Sequence, residues 1–370
     1  MKKTIAFFAA AVVLGLGLTQ SGCSTNTKNA WGEFTKMKVI TPMDSLKVSN
    51  GKVGLIPAAK TGTVHFYEPS GKNEKTPVIM VPGLGLSAYI FNETPDGRKA
   101  WAEIFLENGH PVYVYEDPTI MVHEGIDYDK IGMKGRKWNK QRTWSTWGMG
   151  PEYPNPYENV QYPVQHFDSL VASFPEYGNF GFLEVKKDSR ASSGASKKAK
   201  SGQQSAENEG RGGASARGGR RRGGGGQGFG SQIQVENLLT LMDQVGECVL
   251  MVHSASGTTG FEAIRQDGEQ VQGLIVLEPV GSPTKEKDVK THFSDIPFLG
   301  VYGDNIDKRR QGRRKQAVEE TIRLIQKNEG KADMIDLPAM GIYGNTHLMM
   351  QDKNNAEIAH KIILWIASNK

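Results

Sequence analysis

The 370-residue chain has only two cysteines, Cys23 and Cys248, so no disulfide framework can stand in for a hydrophobic core. Apart from the stretch between Ile5 and Leu18 it has no long apolar run, and that stretch is too short to span a bilayer as a permanent helix. Positive charge is not dispersed over it either. The formal net charge is +5, from 45 Lys/Arg against 40 Asp/Glu, yet Lys186 to Ser231 alone holds eleven basic and three acidic residues. The remainder carries 34 basic against 37 acidic residues, a net −3, which does not indicate a basic globular surface for nucleic acid.

What is present begins with an export signal. Met1-Lys2-Lys3, the apolar segment and Ser21-Gly22-Cys23 have the charge, length and small-residue exit of a segment removed on secretion. The site resembles a bacterial lipoprotein signal, which implies lipidation of Cys23 and a membrane anchor on the periplasmic or cell-surface side. Gln20 stands where an aliphatic residue is usual, and the alternative is ordinary secretion with Cys23 in or beside the discarded segment. Residues 1–23 are therefore excluded from the fold. The roughly 345 residues that follow suffice for one large domain with an insertion.

That insertion is residues 187–231, built from Gly, Ser, Ala, Arg and Lys and including Arg217-Gly-Gly-Arg220-Arg221-Arg222. It lacks the apolar content to fold and is expected to be disordered. An arginine-glycine tether for nucleic acid would have only Phe229 for base stacking. A solvated insertion, free to touch anionic lipid or polyanions, is the preferred reading in an exported chain.

Elsewhere, short apolar runs bounded by Gly, Pro and Asp read as strands: residues 77–81, 111–115, 248–253, 273–277, 296–302 and 334–337. Helical patterns separate the later ones, at residues 235–244, 257–265, 314–328 and 356–368. Such alternation argues for a mainly parallel sheet covered on both faces. Near the start, Val53 to Ile56 and Thr63 to Tyr67, after the turn signal Asn50-Gly51, are expected to form a hairpin. Residues 124–186 break the pattern. They are rich in aromatics and proline, including Trp138, Trp144, Trp147, Tyr153, Tyr157, Tyr162 and Phe167, and read as a cap over a site, dividing the core into 24–123 and 232–370.

Chemistry concentrates where the run Cys248 to Val252 ends in His253-Ser254-Ala255-Ser256-Gly257. A strand that ends in a serine among small residues can deliver a nucleophile into a sharp strand-to-helix turn. The match to Gly-x-Ser-x-Gly is loose, and a buried strand with a Ser-rich turn is the competing reading. Cys248, inside that strand, is a small core hydrophobe. A serine hydroxyl needs a base, and the base needs an acid. His347, in the loop Gly341 to His347 after the last strand, is the natural base, because His292 precedes a strand and His360 falls within the final helix. Two carboxylates end later strands, Glu278 and Asp304, and position alone does not choose between them. Backbone N–H groups for an oxyanion would come from Ala255 and from the turn Pro82-Gly83-Leu84-Gly85, with Leu84 or Gly85 as donor.

With these parts in hand the chain resembles the α/β-hydrolases, and among them the exported bacterial esterases typified by one that cleaves esters on halogenated cyclic compounds. Leu337 to Asn355 is similar to that family's histidine loop almost residue for residue. Glu93 to Arg98 with Trp101, Tyr162 to Gln165, His253 to Gly257 and Leu277 to Pro279 match its other blocks. The similarity runs from about Gly62 to Lys370, with 187–231 unmatched. It implies an α/β-hydrolase fold, Glu278 as the acid with Asp304 in reserve, and a cap between the fourth strand and the helix leading to the nucleophile strand, here residues 124–186. Two departures stand out. Adjacent cysteines of the family's oxyanion turn are replaced by Leu84 and Gly85, and Asp117 to Val122 lacks the family's Gly-Arg-Gly-Arg pattern.

The expected function is a serine esterase using Ser254, His347 and Glu278 through an acyl-enzyme, on a small-molecule ester, with no metal and no organic cofactor. The alternative is a catalytically inactive surface lipoprotein of the same fold that binds a partner or polyanion. Nucleic acid is the least favoured partner.

Overall fold

The computed structural model describes residues 24–26, 36–39, 47–49, 52–54, 63–69, 75–83, 86–116, 139–173 and 232–369. The export signal with Cys23, the oxyanion candidates Leu84 and Gly85, the insertion 187–231, and residues 124–138 and 174–186 of the expected cap lie outside them.

The strands in chain order are β1 (Ser24–Asn26), β2 (Lys36–Val39), β3 (Lys47–Ser49), β4 (Lys52–Gly54), β5 (Thr63–Glu68), β6 (Val78–Val81), β7 (Val112–Glu116), β8 (Cys248–His253), β9 (Val271–Leu277), β10 (Phe298–Tyr302) and β11 (Ala332–Asp336). Among the described residues the large sheet runs β1-β2-β5-β7-β6-β8-β9-β10-β11. From β7 to β11 every neighbour is parallel; β5, β2 and β1 continue it antiparallel. The expected hairpin is corrected here. β4 pairs antiparallel with β3 in a separate two-stranded sheet, while β5 pairs with β7 and β2. An Asn-Gly signal specifies a turn, not which distant strand the following segment joins.

The helices are α1 (Tyr89–Asn92), α2 (Trp101–Glu107), α3 (Lys140–Trp147), α4 (Phe167–Ser173), α5 (Gln232–Val245), α6 (Ser256–Gln266), α7 (Glu286–His292), α8 (Gly312–Lys327) and α9 (Asn355–Ser368). Because strand side chains alternate, each central strand feeds two cores. Val78, Met80, Val249, Met251, Ile275, Leu277, Leu299 and Val301 meet α2 and α9 on one face. Ile79, Val81, Leu250, Val252, Leu274 and Val276 meet α5, α6, α7 and α8 on the other. Both faces are dry, which is why these strands read as continuous apolar runs rather than as alternation. Cys248 is fully buried among them, and burial pushes its thiol up to about 12.

Residues 139–173 pack on the first of these cores through Trp144, Trp147, Tyr162 and Phe167. Trp144 meets Phe167 and Tyr153 edge-on, with centroids 4.9 and 5.4 Å apart. Edge-to-face pairs of this kind contribute about 0.5–1.5 kcal/mol each beyond their buried area, so an irregular chain path can be held without a regular amphipathic period.

One close approach governs how α6 lies on β8. A Cβ added at Gly260 would sit 2.7 Å from Val252 Cγ1. In an ordinary helix interior Gly→Ala stabilises by about 1 kcal/mol. Gly260→Ala is instead expected to destabilise by about 1–3 kcal/mol through overpacking, read as a lower urea midpoint at unchanged m-value, and Val252→Ala in the same chain should recover part of it. A midpoint that rises in the single variant would contradict this packing.

Candidate active site

Parallel strands all end at one edge, and in open α/β sheets ligands gather in the crevice outside those carboxyl ends. Here β6 ends before Pro82-Gly83, β8 before Ser254, β9 before Glu278, β10 before Gly303-Asp304, and β11 leads through Leu337 to the loop that carries His347. The topology thus brings the serine, histidine and both candidate acids to one place.

Ser254 has a left-handed backbone, φ 54°, a conformation that costs a non-glycine residue roughly 1–3 kcal/mol. It is held there from both sides. Its N–H donates to Leu277 O at 2.9 Å, and its carbonyl accepts from Val280 N at 2.7 Å. The chain then enters α6, with Ala255 as the capping residue, so the N–H groups of Ala255 and Ser256 lie at a helix amino end, ahead of the first turn's bonds from Gly257 N to Ser254 O and from Thr258 N to Ala255 O. The turn after β6 approaches closely: a Cβ on Gly83 would fall 2.9 Å from Ser254 Cβ. Ser256, at a position where glycine is usual, joins the ends of β6 and β8. Its hydroxyl accepts from His253 N at 2.9 Å and lies 2.9 Å from Val81 O and His253 O, to one of which it donates.

Glu278 ends the next strand and is also left-handed, φ 44°. It is completely buried. One carboxylate oxygen accepts from Gly303 N at 3.0 Å and Arg309 Nη1 at 2.9 Å. The other pairs with Arg309 Nη2 and accepts from His347 Nδ1 at 2.5 Å. A neutral imidazole that donates from Nδ1 has its lone pair on Nε2. The backbone of His347 is fixed as well: its N–H donates to Trp147 O at 2.8 Å, and its carbonyl accepts from His253 Nε2 at 2.9 Å.

Charge states follow from these contacts. Burial alone would raise Glu278, but the Arg309 charge and the His347 hydrogen bond outweigh it and hold the carboxyl well below its ordinary range. His347 is lowered, first by burial and then by Arg309 and Arg314, against an opposing pull from Glu278. Burial, with His347 beside it, lowers His253 to about 3. Near neutrality the arrangement is an ionised glutamate, a neutral histidine able to accept a proton, and a second neutral histidine that braces the first.

Asp304 sits differently. Its Oδ2 accepts from Gly344 N at 2.9 Å, its Oδ1 accepts from Asn305 N at 2.5 Å, and its N–H donates to Asn345 O at 2.8 Å. It is a brace for the loop that carries His347, whereas the imidazole itself faces Glu278.

Sequence reasoning did not single out Asp352, His253 or Arg309. Asp352 is fully buried, and its carboxyl accepts from Thr346 N and Thr346 Oγ1, each at 2.7 Å, and from Asn345 Nδ2 at 2.9 Å. It binds the two residues immediately before His347. Its own carbonyl accepts from Arg98 Nη1 at 2.7 Å. The only sequence signal for it was its place in the block similar to the family's histidine loop. Among the described residues no cluster of His, Cys, Asp or Glu could hold a metal ion, and no helix is long and apolar enough to cross a membrane.

By sheet order, helix placement and site position, the chain has the α/β-hydrolase fold. A solved structure of a novel bacterial esterase aligns with TM-score 0.64 at 23% identity, covering 98% of this chain and 99% of that one. An S-formylglutathione hydrolase from Agrobacterium tumefaciens aligns with TM-score 0.42 at 10% identity over 95% of this chain and 98% of its own. In sequence, a probable secreted lipase, phiG, of a fungal species (strain ATCC 74256) is 21% identical over 358 residues, 82% of this chain and 85% of the relative. No family model matches the chain.

Burial raises the Asp352 carboxyl from 3.8 to about 7, against the pull of its hydrogen bonds. The folded state therefore holds this proton more tightly than the unfolded chain. The resulting stability is fully present below the unfolded pKa and is lost as pH rises through the folded one. Wild type is expected to lose stability relative to Asp352→Asn between about pH 4 and about pH 7 in urea titrations. A difference between the two proteins that does not vary with pH would exclude a protonated carboxyl at this position.

Proposed function

We propose that the protein is a serine-dependent carboxylic-ester hydrolase working through an acyl-enzyme. The observation that carries this reading is the contact chain at the carboxyl edge: a buried, ionised Glu278 on Nδ1 of His347, at the edge where Ser254 is held in a left-handed turn. Ser254 Oγ attacks the ester carbonyl carbon while Nε2 of His347 takes its proton. Glu278 keeps the imidazole in the Nδ1–H tautomer and stabilises the imidazolium that forms. The N–H of Ala255 and one from Leu84 or Gly85 would hold the oxyanion of the tetrahedral intermediate. Its collapse expels the alcohol, protonated by His347, and water activated by the same histidine then releases the acid.

The esterase and lipase relatives support ester hydrolysis as the activity class. In this reading residues 124–186 form the cap, and its aromatics favour an apolar or ring-bearing substrate. The secreted character of the fungal relative supports export; attachment through a lipidated Cys23 belongs to the same proposal.

Purified Ser254→Ala and His347→Ala proteins are each expected to lose at least about 10⁴-fold in kcat on short p-nitrophenyl esters. Undiminished turnover by Ser254→Ala would refute the mechanism. The two acids separate by isosteric amides. Glu278→Gln should cost about 10²–10⁴-fold, whereas Asp304→Asn should stay within about tenfold of wild type, and the reverse order would transfer the acid's role to Asp304.

A further inference from the structure

Arg309 lies in a run, Lys308-Arg309-Arg310, that looks like solvated surface charge, yet its side chain has no exposed area. Left-handed residues at Asn305, φ 57°, and Arg310, φ 58°, bend the loop between β10 and α8 so that this one guanidinium turns inward. Four hydrogen bonds satisfy it. Two are the fork onto both oxygens of Glu278, a third goes from Nη1 to Asp304 O at 3.1 Å, and the fourth from Nε to Thr146 O at 3.1 Å. Thr146 is in the last turn of α3, and the next carbonyl, Trp147 O, accepts the backbone N–H of His347. Gly148, which follows at φ 86°, is seated on the arginine stem: a Cβ there would meet Arg309 Cδ at 2.8 Å.

The end of α3 thus holds the acid through Arg309 and the histidine directly. A planar five-donor group can pin both carboxylate oxygens and reach a third partner, which a point-charge ammonium cannot. We propose that Arg309 is a positioning residue that locks the Glu278 carboxylate against the carboxyl end of α3, so that the alignment of His347 is set jointly by the sheet edge and by the 139–173 segment. This deepens the Ser254-His347-Glu278 reading and rests on it for its effect on rate.

The charged and titratable groups facing His347 are His253 at the end of β8, Glu278 after β9, Arg309 from the β10–α8 loop and Arg314 from α8. Removing the Arg309 cation takes away one of the two positive charges that disfavour the imidazolium. His347 should then titrate at higher pH, and the acid limb of kcat/KM should move the same way. A merely structural role would lower the yield of folded protein or its kcat and leave that titration in place.

The test uses the full-length chain with Arg309→Gln and Arg309→Lys. It follows the His347 ring by NMR titration, with the resonance assigned by its loss in His347→Gln, and measures kcat and KM on p-nitrophenyl butyrate. Arg309→Gln is expected to raise the His347 titration by roughly half a unit to one unit and to lower kcat by about 10–100-fold with KM within about twofold. Arg309→Lys should return the titration to near its wild-type position while kcat stays at least about tenfold down, since charge is restored but the fork is not. A His347 titration unmoved in Arg309→Gln, or wild-type kcat in Arg309→Lys, would overturn the proposal. If wild type turns over no ester, the hydrolase reading fails, and the NMR titration still decides whether Arg309 acts on His347. If Arg309→Gln does not fold, kcat and the titration in Arg309→Lys decide alone.

Discussion

A carboxylate that no water reaches has to be satisfied entirely by its own protein, and Glu278 imposes that condition on everything around it. Removing such a charge from water costs several kcal/mol unless good partners repay it. The partners come from four separate pieces of chain: the strand-end N–H of Gly303, the guanidinium of Arg309, the imidazole of His347 and, through that imidazole's backbone, the end of α3. None of these lies near Glu278 in sequence. The site is therefore assembled only when β9, β10, the β10–α8 loop, the histidine loop and α3 are all in place, and its geometry reports on the whole carboxyl edge of the sheet rather than on one motif.

Parts of this were legible in the chain. The parallel strands announced themselves because both faces are covered, which leaves apolar runs stopped by Gly, Pro or Asp. The four long helices α5, α6, α8 and α9 showed their periods. By contrast α2 left no amphipathic trace, since every residue from Trp101 to Leu106 is buried, and a helix without a wet face has no period to read. Glu278 and Asp304 could not be ranked by position because each ends a strand of the same parallel set. What separates them is backbone hand: Glu278 is left-handed and faces the imidazole, while Asp304 turns to the N–H of Gly344. Likewise nothing local in Lys308-Arg309-Arg310 says which cation points inward, because that depends on two φ angles set by the surrounding fold.

The sequence blocks that carried the family resemblance are far apart in the chain and yet meet in space. Arg98 donates to the carbonyls of Gln351 and Asp352 and to Asn355 Oδ1. Trp101 Nε1 donates to Asn355 O. Gln161, next to Tyr162, exchanges backbone hydrogen bonds with Gly344 and Lys353, and Asp352 grips Asn345 and Thr346 from within. They are the anchorage of one loop. A histidine that must keep its place while its partner is a fixed, buried acid needs a rigid loop, and rigidity here comes from many short polar contacts instead of from regular secondary structure.

The serine turn departs from the usual glycine pattern, and the packing of α6 shows why it can. Val252 fills the position two residues before the serine, and the room for its side chain is left by Gly260 on the facing helix. The missing glycine has in effect moved across the interface. The pattern around this serine is thus a statement about shared volume between a strand and the helix that follows it, and not about glycine at fixed offsets. A search phrased as one vacancy divided between two elements would recognise this turn where a five-letter motif passes it by.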